Sequence, residues 1–257
     1  MLAHPVLLDI DGVLTVSWRA LPGAVETIEW LRRNEVEFRL VTNTSSRSRG
    51  RIAELLEAAG MPVETDHIQT AVTAAAHYLG EHHAGESCFV VNQGDLDEDM
   101  AGVEVSGPDR AGVVLLGGAG PSTGYAELNH AFALALDGVP VVALHRNTRF
   151  QTEDGPALDM GAFIVGLEAA AGIEVTVVGK PAPAFFGAAL ADLGSPPEQV
   201  VMVGDDIGSD VLGAQAAGII GVLVRTGKFR PADLDGDGLP DHVIDDIGHL
   251  PEILYSL

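Results

Sequence analysis

The chain has 257 residues, 47% of them hydrophobic and only 5% aromatic, so its core is built mainly from Ala, Val, Leu and Ile, and its length allows more than one domain. A net charge of −23 argues against nucleic acid and anionic membrane surfaces as partners, because both select for basic patches. No apolar run approaches the roughly 20 residues of a membrane span, the start does not read as a signal peptide, and the single cysteine, Cys88, precludes an internal disulfide, so a cytoplasmic location is expected.

In chain order, "PVLLD" is a short apolar strand and "LPGAVETIEWLRRN" a helix, with Pro22 near its first turn and Val25, Ile28 and Leu31 on one side. "EFRLVTN" is the next strand, and "SSRSRGRIAELLEAAG" a helix with Ser at its start and Gly60 at its end. From residue 69 to about 177 a separate block carries the helices "QTAVTAAAHYLGEH", "YAELNHAFALALDG" and "GAFIVGLEAAAG" and the strands "SCFVVN", "GVVLLGG" and "VPVVALH". The first rhythm then resumes: strand "VTVVG", helix "APAFFGAALADLG" closed by Gly194, strand "QVVMVG", helix "SDVLGAQAAG" closed by Gly218, strand "IIGVLV". Alternation of this kind predicts a parallel sheet covered by helices. The expected fold is α/β, a Rossmann-like parallel-sheet core of residues 1–68 and 178–257 with an α/β cap domain inserted at 69–177.

Four polar segments stand at the expected carboxyl ends of core strands: Asp9 and Asp11 in "DIDG", Thr42 and Asn43 in "VTNTSS", Lys180 in "VVGKPAP", and Asp205, Asp206 and Asp210 in "MVGDDIGSD". In an open α/β sheet, ligands bind in the crevice beyond those ends. In an extended segment Asp9 and Asp11 face the same way, and their repulsion is offset if a hard divalent cation sits between them. Mg²⁺ takes oxygen ligands and is commonly held by one or two carboxylates plus a substrate phosphate; Asp205 completes that set. Lys180 and the Thr42 hydroxyl supply donors for phosphate oxygens, and Gly12 lets backbone amides approach an anion closely. Each segment alone is an ordinary turn, cap or loop signal. All four together, in this order, are not.

These segments resemble the four motifs of the haloacid dehalogenase superfamily phosphatases. The block between the second and third, with "DMGAFIVGLEAAAGIEVTVVGKP" leading into the lysine, is similar to the subfamily IIA (NagD-like) branch. The resemblance implies that Asp9 is the nucleophile that forms an aspartyl-phosphate and that Asp11 is the general acid and base. It implies a magnesium ion held by Asp9, the backbone carbonyl of Asp11 and Asp205, and a phosphoryl group held by Thr42, Asn43 and Lys180. Asp210 would support the metal site or Lys180. It further implies a small phosphorylated substrate and a homodimer formed through the cap. In "ALHRNTRF", a cap loop near the active site in relatives, Arg146, Asn147 and Arg149 are candidates for a substrate's second charge.

Other motifs carry less. "DLDGDGLPD", with Asp233, Asp235, Asp237, Gly238 and Asp241, follows the start of a calcium loop, but Ile244 stands where the bidentate Glu belongs, so an acidic surface loop is expected. "GGAGPSTG" fits neither nucleotide-loop pattern. Against a metal-dependent phosphatase of small phosphomonoesters, or of a phosphoramidate or pyrophosphate, stand dehalogenase chemistry, which needs neither Asp11 nor Asp205; a phospho-accepting receiver-type module, which is shorter, has no cap and carries its Asp on a later strand; and a non-catalytic phosphate-binding module, which has no need of both Asp9 and Asp11.

Overall fold

A computed structural model describes residues 4–94, 96–152, 155–236 and 238–257. Six strands form its largest sheet, in the order His242–Ile244, Ile220–Val224, Val201–Gly204, Val6–Asp9, Phe38–Thr42, Ile68–Thr70. The first five pair in parallel, with Leu8 opposite both Val203 and Leu40. Val6, Leu7 and Leu8 are completely buried. That explains why this strand reads as an unbroken apolar run: both of its faces are covered, so neither needs polar residues.

The chain divides into two compact units. The first runs to Thr42, resumes over Arg49–Gln69 and ends with Lys180–Leu257; the second comprises Asn43–Ser48 and Thr70–Gly179. In the first, helix Ala24–Arg33 buries Ala24, Thr27, Ile28 and Leu31, and helix Arg49–Ala58 buries Ile52 and Leu56. The first places apolar residues four and three apart, the second four apart, on the face that joins the core around Leu8, Leu40 and Val203. Helix Pro183–Leu193 starts on a proline and ends at Gly194 in the left-handed conformation.

The second unit has its own sheet, ordered Thr176–Val177, Val141–Ala143, Val113–Leu116, Cys88–Val91, all parallel. Ala131 and Ala135 of helix Tyr125–Leu136 and Ile164 of helix Met160–Ala171 pack into its core with Val114 and Leu116. Cys88 is buried there, and burial pushes its thiol up to about 12, the state of an inert hydrophobe.

One assignment changes. "VTVVG" was expected to be a core strand, but Thr176–Val177 pairs with Val141–Ala143 in the sheet of the second unit. Lys180 therefore does not end a core strand; it opens the segment that returns to the first unit. The strands Ile68–Thr70 and His242–Ile244, the hairpins Thr15–Val16/Arg19–Ala20 and Arg149–Thr152/Gly155–Leu158, and helix Leu250–Ser256 were not anticipated. Each strand among them has two to four residues, too few for a hydrophobic period to register.

Candidate active site

Strand Val6–Asp9 ends at a tight turn. The N–H groups of Leu14 and Thr15 both donate to the Ile10 carbonyl, and the Gly12 N–H donates to the Thr15 carbonyl at 2.7 Å. Asp9 is left buried and Asp11 exposed. The extended geometry expected for this pair thus stops at Asp9, because the backbone turns at once through Gly12, whose φ is +91°.

The neighbouring strand, Val201–Gly204, delivers Asp205, which is 1% exposed. Its Oδ2 accepts the backbone N–H of Lys228 at 2.7 Å, while its Oδ1 is buried with no hydrogen-bond partner among the described residues. Two glycines in the left-handed region press against this carboxylate. A Cβ on Gly12 would lie 1.9 Å from Oδ2, and one on Gly227 would lie 2.0 Å away. The Thr226 hydroxyl donates to the Gly12 carbonyl at 2.5 Å. Residues 226–228 therefore fasten Asp205 to the turn after Asp9. The sequence marks this segment, "VRTGKFRP", as similar to a relative's but gives it no role in the site.

Asp206 caps a wide, π-helical turn, Ile207–Leu212, by accepting the N–H groups of Gly208 and Ser209 at 3.1 and 3.0 Å. Burial alone would raise its carboxyl pKa, but those amides and Lys228 hold it below the ordinary value. The turn brings Asp210 back over the strand end. At Gly204 a Cβ would lie 2.1 Å from the Asp210 Cβ, so no larger residue fits.

Lys180 is 5% exposed, and its Nζ lies 2.5 Å from Asp9 Oδ1 and 2.8 Å from Asp210 Oδ1. It is seated by the helix that follows it. Phe185 and Phe186 of that helix are fully buried, and Pro181 comes so close to Gly213 that a Cβ there would lie 2.7 Å from it. Burial disfavours the ammonium, but Asp210 and Asp9 outweigh it and hold the Lys180 pKa above its ordinary value. Burial pushes the Asp9 carboxyl up, Lys180 pulls it down, and Asp210 and Asp205 add to the rise. Asp205 is pushed up to about 6, again first by burial, with the Lys228 N–H opposing.

One oxygen from each of Asp9, Asp205 and Asp210 lies within 4.8 Å of the others. Asp11 contributes no carboxylate to this group; Asp210 does. Three buried carboxylates against one buried ammonium leave negative charge uncompensated where charge is costly. An all-oxygen donor set with one orphaned, buried Oδ1 fits a hard divalent cation.

Asp9, Thr42 and Asp205 end or follow three adjacent strands at their carboxyl edge, and Thr42 is buried at 3% exposure. Asn43 and Asn147 belong to the second unit. There a Cβ at Gly179 would lie 2.8 Å from Asn43 Oδ1, and the Asn147 carbonyl accepts the Gly161 N–H at 2.9 Å with the residue exposed. Arg146 is not a spare charge: its guanidinium grips Glu168 with two bonds of 2.8 and 2.6 Å. In the acidic loop, Asp237 lies outside the described residues. Asp233 accepts the Arg230 N–H and Asp241 the Gly221 N–H, which ties these carboxylates to backbone.

A model of haloacid dehalogenase-like hydrolases matches residues 6–106, and a second, HAD-hydrolase-like model matches residues 177–250. The chain belongs to the haloacid dehalogenase-like hydrolase family. It is 41% identical over 230 residues to haloacid dehalogenase-like hydrolase domain-containing protein 2 of Bos taurus, covering 90% of this chain and 87% of that one. Phospholysine phosphohistidine inorganic pyrophosphate phosphatase of Xenopus laevis is 34% identical, with 98% and 94% covered. Among solved structures, the p-nitrophenyl phosphatase of Archaeoglobus fulgidus superposes with a TM-score of 0.90 at 30% identity, over 99% of both chains. NagD from E. coli K-12 superposes with a TM-score of 0.88 at 27% identity, over 96% of this chain and 98% of that one. Within the haloacid dehalogenase-like family the protein is a phosphatase of the subfamily IIA, NagD-like branch, with a Rossmann-like core and a cap.

Proposed function

We propose that the protein hydrolyses small phosphomonoesters with Mg²⁺ through an aspartyl-phosphate on Asp9. The observation that carries this reading is the Lys180 ammonium held between Asp9 and Asp210, beside an Asp205 whose Oδ1 is buried without a donor. Asp9, Asp205 and the backbone carbonyl of Asp11 would hold the metal, with Asp210 orienting Lys180. When bound, Mg²⁺ supplies positive charge that offsets the crowded carboxylates and the charge on the transferring phosphoryl group.

The Asp9 carboxylate attacks phosphorus in line, forming the Asp9–phosphorus bond as the ester bond breaks. Asp11 gives its proton to the leaving oxygen. Asp11 then takes a proton from a water whose oxygen attacks the same phosphorus, releasing orthophosphate and restoring the Asp9 carboxylate. Lys180, Thr42 and Asn43 bind the phosphoryl oxygens and offset the charge that spreads over them. Asn147 is assigned to the rest of the substrate, residues 69–177 to the cap domain and to a homodimer interface, and the cytoplasm to its location, on the sequence grounds above.

The test is phosphate release from p-nitrophenyl phosphate. Release with Mg²⁺, its loss with EDTA, and its abolition in a folded Asp9→Asn variant are the expected results. Substantial turnover by pure Asp9→Asn protein removes Asp9 from the nucleophile's role. A monomer in light scattering at micromolar concentration removes the dimer.

A further inference from the structure

The chain has twelve arginines but only two lysines, and both lysines lie at this site. Lys180 is spent inside it, paired to Asp9 and Asp210. Lys228 is different. Its backbone N–H is fixed on Asp205, so the start of its side chain is positioned by a carboxylate of the site itself. The side chain is 66% exposed, and among the described residues its Nζ reaches only Asp206 Oδ2, at 3.5 Å. An ammonium has three donors, and one long contact leaves most of that capacity directed at solvent.

The surrounding charge gives this position a use. The chain carries a net −23, and the partly exposed Asp206 stands between the buried Asp205 and the buried Asp210, to whose Oδ2 its N–H donates. An anion approaching here meets repulsion, and one further negative group on it adds to that cost. A mobile, hydrated cation at the edge reverses the sign locally for any group that extends past the reacting phosphoryl. We infer that Lys228 is a specificity-determining residue that binds a second anionic group on the substrate. The phosphatase would then prefer phosphomonoesters whose non-reacting end carries a carboxylate or another anion over esters with a neutral end. This inference rests on the phosphatase reading and adds to it the chemical class of the leaving group.

The test uses a matched pair, phenyl phosphate and 4-carboxyphenyl phosphate, which differ by one remote charge. The full-length protein with Mg²⁺ is compared with Lys228→Met, which keeps the alkyl stem and the backbone N–H, and with Lys228→Arg, which keeps the charge. Lys228→Met should lose roughly two- to fivefold in kcat/KM on the carboxylated ester, mainly through KM, the range an exposed charge pair supplies. It should lose less than about twofold on the neutral ester, and Lys228→Arg should recover most of the preference. High salt should shrink the wild-type preference. Equal losses on both esters, or a preference that survives Lys228→Met, would overturn the role of Lys228 and leave the phosphatase reading standing. If wild type turns over neither ester, the phosphatase reading fails. Calorimetric binding of the same pair to Asp9→Asn protein, with and without Lys228→Met, then decides the Lys228 assignment by itself.

Discussion

The Lys180 ammonium donates to Oδ1 of Asp9 across 2.5 Å, joining the first motif to a residue 171 positions later in the chain. Both side chains are buried, so neither charge is compensated by water. Removing one partner from such a pair strands the other, at a cost of about 3 kcal/mol or more. Lys180→Met is therefore expected to abolish phosphatase activity and to destabilise the fold by about that amount in urea denaturation. A variant as stable as wild type shows that Asp9 and Asp210 relieve their repulsion without Lys180.

The glycine cradle around Asp205 gives a second expectation. Gly227→Ala places a Cβ 2.0 Å from Asp205 Oδ2, in a backbone with φ +61°. The carboxylate must move, so the Mg²⁺ concentration for half-maximal activity should rise by about tenfold or more, a shift of roughly 1.4 kcal/mol in metal binding. Gly187→Ala is the control: it lies in helix Pro183–Leu193 with nothing within 4 Å of its Cβ position, and should stabilise by about 0.5–1 kcal/mol. Magnesium titrations and thermal melts separate the two effects, and an unchanged magnesium requirement in Gly227→Ala removes the cradle's role.

The titration of Asp205 sets a pH dependence. In the metal-free protein its carboxyl is raised from 3.8 to about 6. Between those values the folded state binds more protons than the unfolded one, so this group's contribution to stability falls as pH rises through that window. A cation binds the deprotonated form and displaces the proton. The increase in melting temperature produced by saturating Mg²⁺ should thus be larger at pH 7.5 than at pH 5. A shift independent of pH between those values places the metal away from Asp205.

Asp11 is exposed on the turn beyond the strand, so Asp11→Asn should leave the fold intact. An alkyl phosphate leaves as a strongly basic alkoxide and needs a proton; a nitrophenolate leaves unaided. Phosphorylation of Asp9 by an alkyl phosphate should slow by roughly 10²–10⁴-fold, and by p-nitrophenyl phosphate much less. With p-nitrophenyl phosphate the variant should accumulate phosphorylated Asp9, visible by mass spectrometry. Equal losses for both leaving groups, with no trapped intermediate, assign Asp11 to the structure of the turn.

The parallel sheet was legible because its central strands are continuous apolar runs, and the helices because Ile28 and Leu31 recur at helical spacing in the first and Ser and Gly60 bracket the second. Asp9, Thr42 and Asp205 were legible as candidates because each stands where such a run stops. These are local properties: a residue's neighbours in the chain decide whether it continues a strand or ends it.

The partnerships were not local, and only the tertiary structure decided them. Val177 ends a strand in the sheet of the second unit, so Lys180 reaches Asp9 by the packing of Phe185, Phe186 and Gly213 rather than by strand order. Whether Arg146 is a spare cation depended on Glu168, and whether Lys228 belongs to the site depended on Gly12 and Asp205 coming together across roughly two hundred residues. Sequence sets which groups a chain can offer. Close packing, which leaves no room for a Cβ at Gly12 or Gly227, sets which of them meet.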